Sequence, residues 1–307
     1  MTRAFAVAAQ DEQPSIQEVP AGEPGPGQVL VAVEAASVNG MDAAVAAGYM
    51  WQYLPHEFPV VLGRDFAGTV ASVGEGVTAW QAGDRVTGVI TAMALGPGAI
   101  TEQYVAAADS LALIPEKLTA AEAAASGLAG VTAVDMLAAL APTADDVVLV
   151  SGATGGVGTF LVQLLADTGA TVIATARPGD ADSFIRGLGA HQTVDHSGDL
   201  AAALADTPIT AVIQLAGDPA ALAALLPPGG RLISPLGATL EQTGRDDITV
   251  TAVLAVATPD KIAQLLTDAA EGRLAISIAG THPFDQSTQA LAAFSAPKLG
   301  KIVITVP

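Results

Sequence analysis

No cysteine occurs among the 307 residues, which removes disulfides, thiolate nucleophiles and thiolate metal ligands together. Basic residues are also scarce: 12 Lys and Arg stand against 31 Asp and Glu, for a net charge of −19. Long-range attraction to nucleic-acid backbones or anionic lipid is therefore disfavoured, and neither is expected as a partner. The same field repels an anionic dinucleotide, so such a cofactor must be held by local positive groups. Only four histidines are present, His56, His191, His196 and His282, with no close pair at metal-ligand spacing. Long apolar runs are missing as well. The hydrophobic fraction of 51% is carried largely by alanine, and the richest stretch, Ala123 to Val134, is broken by Ser126 and bounded by Glu122 and Asp135. That falls short of the roughly 20 residues of a membrane span. The N-terminus turns polar at Gln10-Asp11-Glu12 before a signal-peptide core can form, and a cytoplasmic protein is expected.

What is present falls into two textures. Residues 1–117 are strand-like and rich in turns, with Val29–Val33, Gly68–Gly74 and Arg85–Val89 as candidate strands of a small antiparallel barrel. From 118 to 254 short apolar strands alternate with alanine-rich helical stretches, the pattern of βαβ units and a parallel sheet. Six strands are predicted there: Val147–Val150, Thr171–Thr175, Gln192–Val194, Ala211–Leu215, Arg231–Ser234 and Thr249–Val253. Helices are expected at about 156–168, 180–188, 199–206 and 218–226, and a further one over Asp260–Glu271. The final β-type run, Lys301–Val306, is expected to rejoin the first domain, so that 255–307 completes it. With no linker between them, the two domains are expected to share a cleft.

The strand Val147–Val150 leads straight into Ser151-Gly152-Ala153-Thr154-Gly155-Gly156-Val157-Gly158 and then a helical run. Strand, glycine turn and helix match the dinucleotide fingerprint, read as Ala153-x-Gly155-x-x-Gly158 with only the first glycine replaced. Such a turn lets the backbone approach a pyrophosphate and aims helix N-terminal amides at it. A glycine-rich turn without ligand is the alternative, disfavoured by the repeated βαβ context. Dehydrogenases that use NAD usually carry an acid at the tip of the second strand, whereas Thr171–Thr175 runs into Ala176 and Arg177. A guanidinium suits a 2′-phosphate, which favours NADPH; a surface pair with Asp180 or Asp182 is the other use for Arg177.

These segments, together with Ser37-Val38-Asn39-Gly40-Met41-Asp42, Val61-Leu62-Gly63-Arg64-Asp65-Phe66-Ala67-Gly68, Gly83-Asp84-Arg85-Val86 and Gly300-Lys301-Ile302-Val303, resemble the medium-chain dehydrogenase/reductase superfamily over almost the whole chain. The resemblance is to its zinc-free, quinone oxidoreductase-like branch. It implies an α/β protein, a doubly wound Rossmann sheet with a mostly β, GroES-like catalytic domain, and a homodimer pairing its Rossmann sheets. Where zinc-dependent relatives have a Cys and a His, this sequence has Asn39 and Arg64, so no metal is expected. Without that Lewis acid, conjugate reduction of a quinone or enone by NADPH is the expected reaction. Reduction of an enoyl or polyketide intermediate, and a non-catalytic NADPH-binding sensor or scaffold, are the alternatives.

The resemblance places Asn39 and Asp42 on the nicotinamide side; Asp42 equally fits a helix cap over Ala43–Ala47. Tyr49 is the nearest candidate proton donor, followed by Tyr53 and His56. By position, Thr132, His196, Leu215-Ala216-Gly217 and Leu236-Gly237 are further cofactor contacts, with Lys298 and Lys301 as possible phosphate partners.

Overall fold

The computed structural model describes residues 1–307, and the chain forms two compact units, Met1–Leu128 with Ala257–Pro307, and Ala129–Val256. The first unit begins with strands β1 (Thr2–Val7), β2 (Ser15–Val19) and β3 (Gln28–Ser37), followed by the short helix α1 (Gly40–Ala46). Strands β4 (Val60–Val61), β5 (Asp65–Val73), β6 (Arg85–Val89), β7 (Gln103–Ala107) and β8 (Leu111–Leu113) come next. Helix α2 (Ala120–Leu140) then leads into the second unit. The unit boundary thus falls inside one continuous helix rather than at residue 117, because the change of texture in the sequence marks where the helix starts.

Helix α2 is long and apolar enough to cross a bilayer, yet Ala123, Ala124, Ala125, Ala129, Val131, Ala133, Met136 and Leu140 are all buried within the fold. It is a core helix.

The second unit carries β9 (Val147–Ser151), α3 (Gly156–Ala166), β10 (Thr171–Thr175), α4 (Asp180–Gly187), β11 (Gln192–Val194), α5 (Leu200–Ala203), β12 (Ala211–Gln214), α6 (Pro219–Ala223), β13 (Arg231–Ser234), α7 (Leu240–Thr243) and β14 (Thr249–Ala252). Its six strands are all parallel, in the order β11-β10-β9-β12-β13-β14. This is the doubly wound Rossmann order, with the reversal between β9 and β12 marking where ligands bind. Strands such as Val148–Val150 and Ala211–Ile213 are buried at every position, as parallel strands covered on both faces must be. Two helices are shorter than their sequence patterns, α5 ending at Ala203 and α6 at Ala223, and Thr207-Pro208 and Pro227-Pro228 bar either from resuming downstream.

The chain then returns to the first unit as α8 (Pro259–Ala270), β15 (Ile278–Pro283), α9 (Ser287–Ser295) and β16 (Lys301–Thr305). Strand β3 organises this unit: Val29, Val31, Val33 and Ala35 face inward at period two. It pairs β5 along its length, β7 through residues 28–32 and β16 through residues 35–37. The core beneath is built on Phe5, Phe66, Ile100, Ile302 and Ile304. The final strand does rejoin the first unit, in the antiparallel register Val303 to Ser37.

Candidate functional site

The candidate residues fall into two groups, one in each unit. In the Rossmann unit, β9 ends in a turn whose sharp corner is Gly152, with φ of +81°, so the residue at the first fingerprint position, Ala153, needs no unusual backbone. Gly158 is required for a different reason: a Cβ there would lie 2.4 Å from the Ala153 carbonyl oxygen. At Gly155 an added Cβ would meet only Gly152 O at 3.4 Å, so the mouth of the turn is open.

Helix α3 differs from the other helices that begin in this unit. Helices α5, α6 and α7 are capped by Asp199, Asp218 and Thr239, and α4 has Asp180 and Asp182 in its first turn. Helix α3 has glycine at its N-cap, no capping side chain and no acid in its first turn. Its first amides and positive dipole end are left for an external anion. The residues present therefore fit a dinucleotide pyrophosphate.

Neighbouring strand ends converge on this turn. The Thr175 hydroxyl accepts the Gly152 N–H at 2.8 Å, and the Ser151 hydroxyl donates to Ala216 O at 2.7 Å. A Cβ on Gly152 would lie 3.1 Å from the Cβ atoms of Leu215 and Ala216. Gln214 Nε2 donates to Gly217 O at 2.9 Å, fixing the next turn, and Leu236 N donates to the Ser234 hydroxyl at 3.0 Å at the end of β13. Gly152 to Gly158, Leu215 to Gly217 and Leu236-Gly237 thus lie at the carboxyl ends of β9, β12 and β13. Arg177 follows β10 as an exposed side chain without an ion pair; Asp182, offered by the sequence as its surface partner, binds Arg186 and Thr193 instead. His196 lies two residues beyond Val194, the register partner of Thr175, with Nδ1 3.6 Å from Asp195. Thr132 is buried in α2.

In the first unit, Asn39, Asp42, Asp65, Ser37 and Lys301 form a buried polar cluster. Lys301 Nζ donates to Asn39 Oδ1 at 2.7 Å and Val38 O at 3.0 Å. Asn39 Nδ2 donates to Ser37 O at 3.1 Å and Asp65 Oδ2 at 3.3 Å. Asp65 Oδ1 accepts the Ser37 amide at 3.0 Å and its hydroxyl at 2.5 Å, while Oδ2 also takes the Leu128 amide at 3.1 Å.

Asp42 holds the Asn39 and Gly63 amides, each at 2.7 Å, and so fixes both the start of α1 and the loop after β4. Burial pushes its pKa up to about 6 against the pull of those two N–H bonds. Burial likewise lowers the Lys301 pKa, with the charges of Asp65 and Asp42 opposing. Lys301 is accordingly an internal strut rather than a phosphate partner, and Lys298 donates to Phe294 O. Tyr49, just after α1, is 66% exposed.

The tie between Lys301, Asn39 and Asp65 is the feature around the candidate residues that sequence reading missed. Its trace was visible, since Asp65 and Lys301 each begin a mostly apolar strand and carry opposite charge.

Residues 25–116 match the alcohol dehydrogenase GroES-like domain family, and residues 188–304 the zinc-binding dehydrogenase family. A chloroplast envelope quinone oxidoreductase homolog from Arabidopsis thaliana is 36% identical over 193 residues, covering 61% of this chain and 58% of that protein. The quinone oxidoreductase of Coxiella burnetii superposes with a TM-score of 0.89 at 27% identity, covering 100% of this chain and 99% of that one. The chain belongs to the medium-chain dehydrogenase/reductase superfamily of oxidoreductases, among its quinone oxidoreductase-like members. A mycobacterial relative solved in complex with NADPH aligns with a TM-score of 0.82 at 26% identity, covering 99% and 100% of the two chains. The match to the Arabidopsis protein spans little more than half of that relative's length.

The zinc named in one of these family descriptions does not fit the residues of this member. An amide, Asn39, and a guanidinium, Arg64, are not a zinc donor set, and no three His, Cys, Asp or Glu side chains converge anywhere in the fold.

Proposed function

We propose that this superfamily member is a zinc-independent, NADPH-dependent reductase of quinones or α,β-unsaturated carbonyl compounds. The observation that carries the reading is the uncapped, acid-free N-terminus of α3 beneath an open glycine turn, with the unpaired Arg177 at the end of the neighbouring strand. The amides of residues 156–158 bind the pyrophosphate and Arg177 the 2′-phosphate. When bound, the dinucleotide supplies a hydride; with one proton it completes a two-electron reduction of the substrate. Asn39 and Asp42 fix the polypeptide on the substrate side through their hydrogen bonds, and the exposed phenol of Tyr49 is the proton donor.

A second copy of the chain is proposed to pair along β14, an edge strand followed by Leu254 and Val256, which are 72% and 60% exposed.

The test follows NADPH and NADH oxidation with 1,4-benzoquinone, a simple enone and an aldehyde, with and without a chelator. NADPH-selective turnover of quinone or enone, unaffected by the chelator, is expected. Tight NADPH binding without turnover would instead make the protein a sensor or scaffold. Arg177→Ala should weaken NADPH about 10- to 100-fold while leaving NADH within about 3-fold; equal losses defeat the NADPH assignment.

A further inference from the structure

Asn39 is the only asparagine in the chain, and glycine follows it. In an Asn-Gly pair the carboxamide is chemically insecure: with no side chain on the second residue, its amide nitrogen reaches the asparagine Cγ and closes a five-membered ring. Gly40 is exposed, and its N–H, the first of α1, makes no hydrogen bond in the fold. The carboxamide it would attack belongs to a residue only 6% exposed, at the centre of the polar cluster.

The fold keeps these two groups apart in two ways. Ring closure needs the Gly40 nitrogen rotated into line with the Asn39 Cβ, whereas the extended Asn39, with ψ of 165°, sets that nitrogen to one side. Rotating it would pull the Asn39 carbonyl from the amides of Asp42 at 3.1 Å and Ala43 at 3.4 Å, which open α1. The side chain is fixed as well. Its Oδ1 accepts the Lys301 ammonium at 2.7 Å, and Nδ2 donates to Ser37 O at 3.1 Å and Asp65 Oδ2 at 3.3 Å. Lys301 also draws electrons from the carboxamide and so makes Cγ a better target. That effect acts only on a nitrogen within reach, so the geometry decides, and the bonds to charged Lys301 and Asp65 are of the stronger kind.

We propose that Asn39-Gly40 is a self-modification site of this protein, held closed in the folded chain by Lys301 and Asp65 and opened when β16 leaves β3. The Gly40 nitrogen gives its proton to water and bonds to Asn39 Cγ; the Cγ–Nδ2 bond breaks, and ammonia leaves with a proton from water. Water then opens the ring at either carbonyl, which leaves aspartate at 39 or an isoaspartate whose main chain runs through the former side chain. The balance is water in and ammonia out, with no oxidant or reductant. Aspartate removes the two N–H donors that Ser37 O and Asp65 accept and sets a carboxylate against Asp65. Isoaspartate lengthens the chain at the start of α1 and displaces the Asn39 amide that Asp42 holds. Either product marks permanently a chain that has opened at this place. The inference is independent of the reductase reading.

The experiment incubates the full chain in mildly alkaline buffer, with and without guanidinium chloride. Peptide mass mapping follows the exchange of ammonia for water at 39, and enzymatic methylation scores isoaspartate. Unfolded wild type should be modified at 39. Unfolded Gly40→Ala should react more slowly; in the fold its added Cβ meets nothing nearer than Phe294 Cζ at 4.0 Å. Folded wild type should react at least about 100-fold more slowly than unfolded. Folded Lys301→Met should react at least about 10-fold faster than folded wild type, which corresponds to about 1.4 kcal/mol of lost restraint. Where that variant does not fold, the folded and unfolded wild type carry the test. No modification at 39 in the unfolded chain, or equal rates in folded and unfolded wild type, overturns the proposal. A folded Lys301→Met that reacts as slowly as wild type overturns it too.

Discussion

In the Rossmann unit the groups offered to a ligand are backbone amides at the start of α3, and the side chains around them are small or absent. In the first unit the polar atoms belong to side chains, and Asn39, Asp42, Asp65 and Lys301 are already engaged with one another or with the backbone. One site is an open turn framed by glycine; the other is a polar lattice that sets where its neighbours stand. The contrast teaches that tolerance to substitution should be opposite in the two places. Apart from Arg177, side chains should be exchangeable in the first site but not backbone shape, and in the second each side chain should matter for stability.

The sharpest way to break that comparison is Gly158→Val. The new Cβ would lie 2.4 Å from a carbonyl oxygen of the turn, so β9 and α3 must separate. Dinucleotide affinity should fall by more than about 100-fold, read by equilibrium fluorescence titration. Near-wild-type affinity would show that the turn does not set the site.

Next in size is Lys301→Met, which strips the partner from Asn39 Oδ1 and leaves Asp65 and Asp42 without the opposing charge. A loss of about 2–4 kcal/mol in denaturant unfolding is expected, with NADPH affinity retained by the folded protein. An unchanged unfolding midpoint would reduce the cluster to incidental polarity.

A smaller effect separates Asp42 from the rest by pH. Its folded pKa, about 6, stands above the ordinary 3.8, so the folded state holds a proton the unfolded chain lacks between those values. This group's contribution to stability is therefore fully present below pH 3.8 and lost as the pH rises through 6. Asp42→Asn should be less stable throughout but lose this slope, so the difference between the two stability curves should change across that window. A constant difference would show an ordinary carboxylate.

Least affected should be Thr154→Ala, in the glycine turn, whose hydroxyl has no hydrogen bond within the protein. Dinucleotide affinity should stay within about 3-fold, since backbone amides carry the site.

The same contrast explains what the sequence made legible. The Rossmann turn is local: strand, glycines and helix are consecutive, and each residue reports its own backbone need. All six parallel strands were readable for the same reason, apolar runs with breakers between them. The polar cluster is assembled from residues far apart in the chain, Ser37, Asp65 and Lys301, whose meeting depends on the register of β16 on β3. No local pattern encodes that register. Asn39 and Asp42 were found through resemblance, but their partners were not.

The placement of Lys301 in β16 also orders events on the ribosome. Residues 129–256 are synthesised as an uninterrupted block, so the Rossmann unit has all its strands before translation reaches the last part of the first unit. Until β16 emerges, residues 35–37 of β3 lack the strand on one side and Asn39 lacks its ammonium. The earlier-made half of the protein therefore waits longest for its final contacts, with an open strand edge that neighbouring nascent chains can reach.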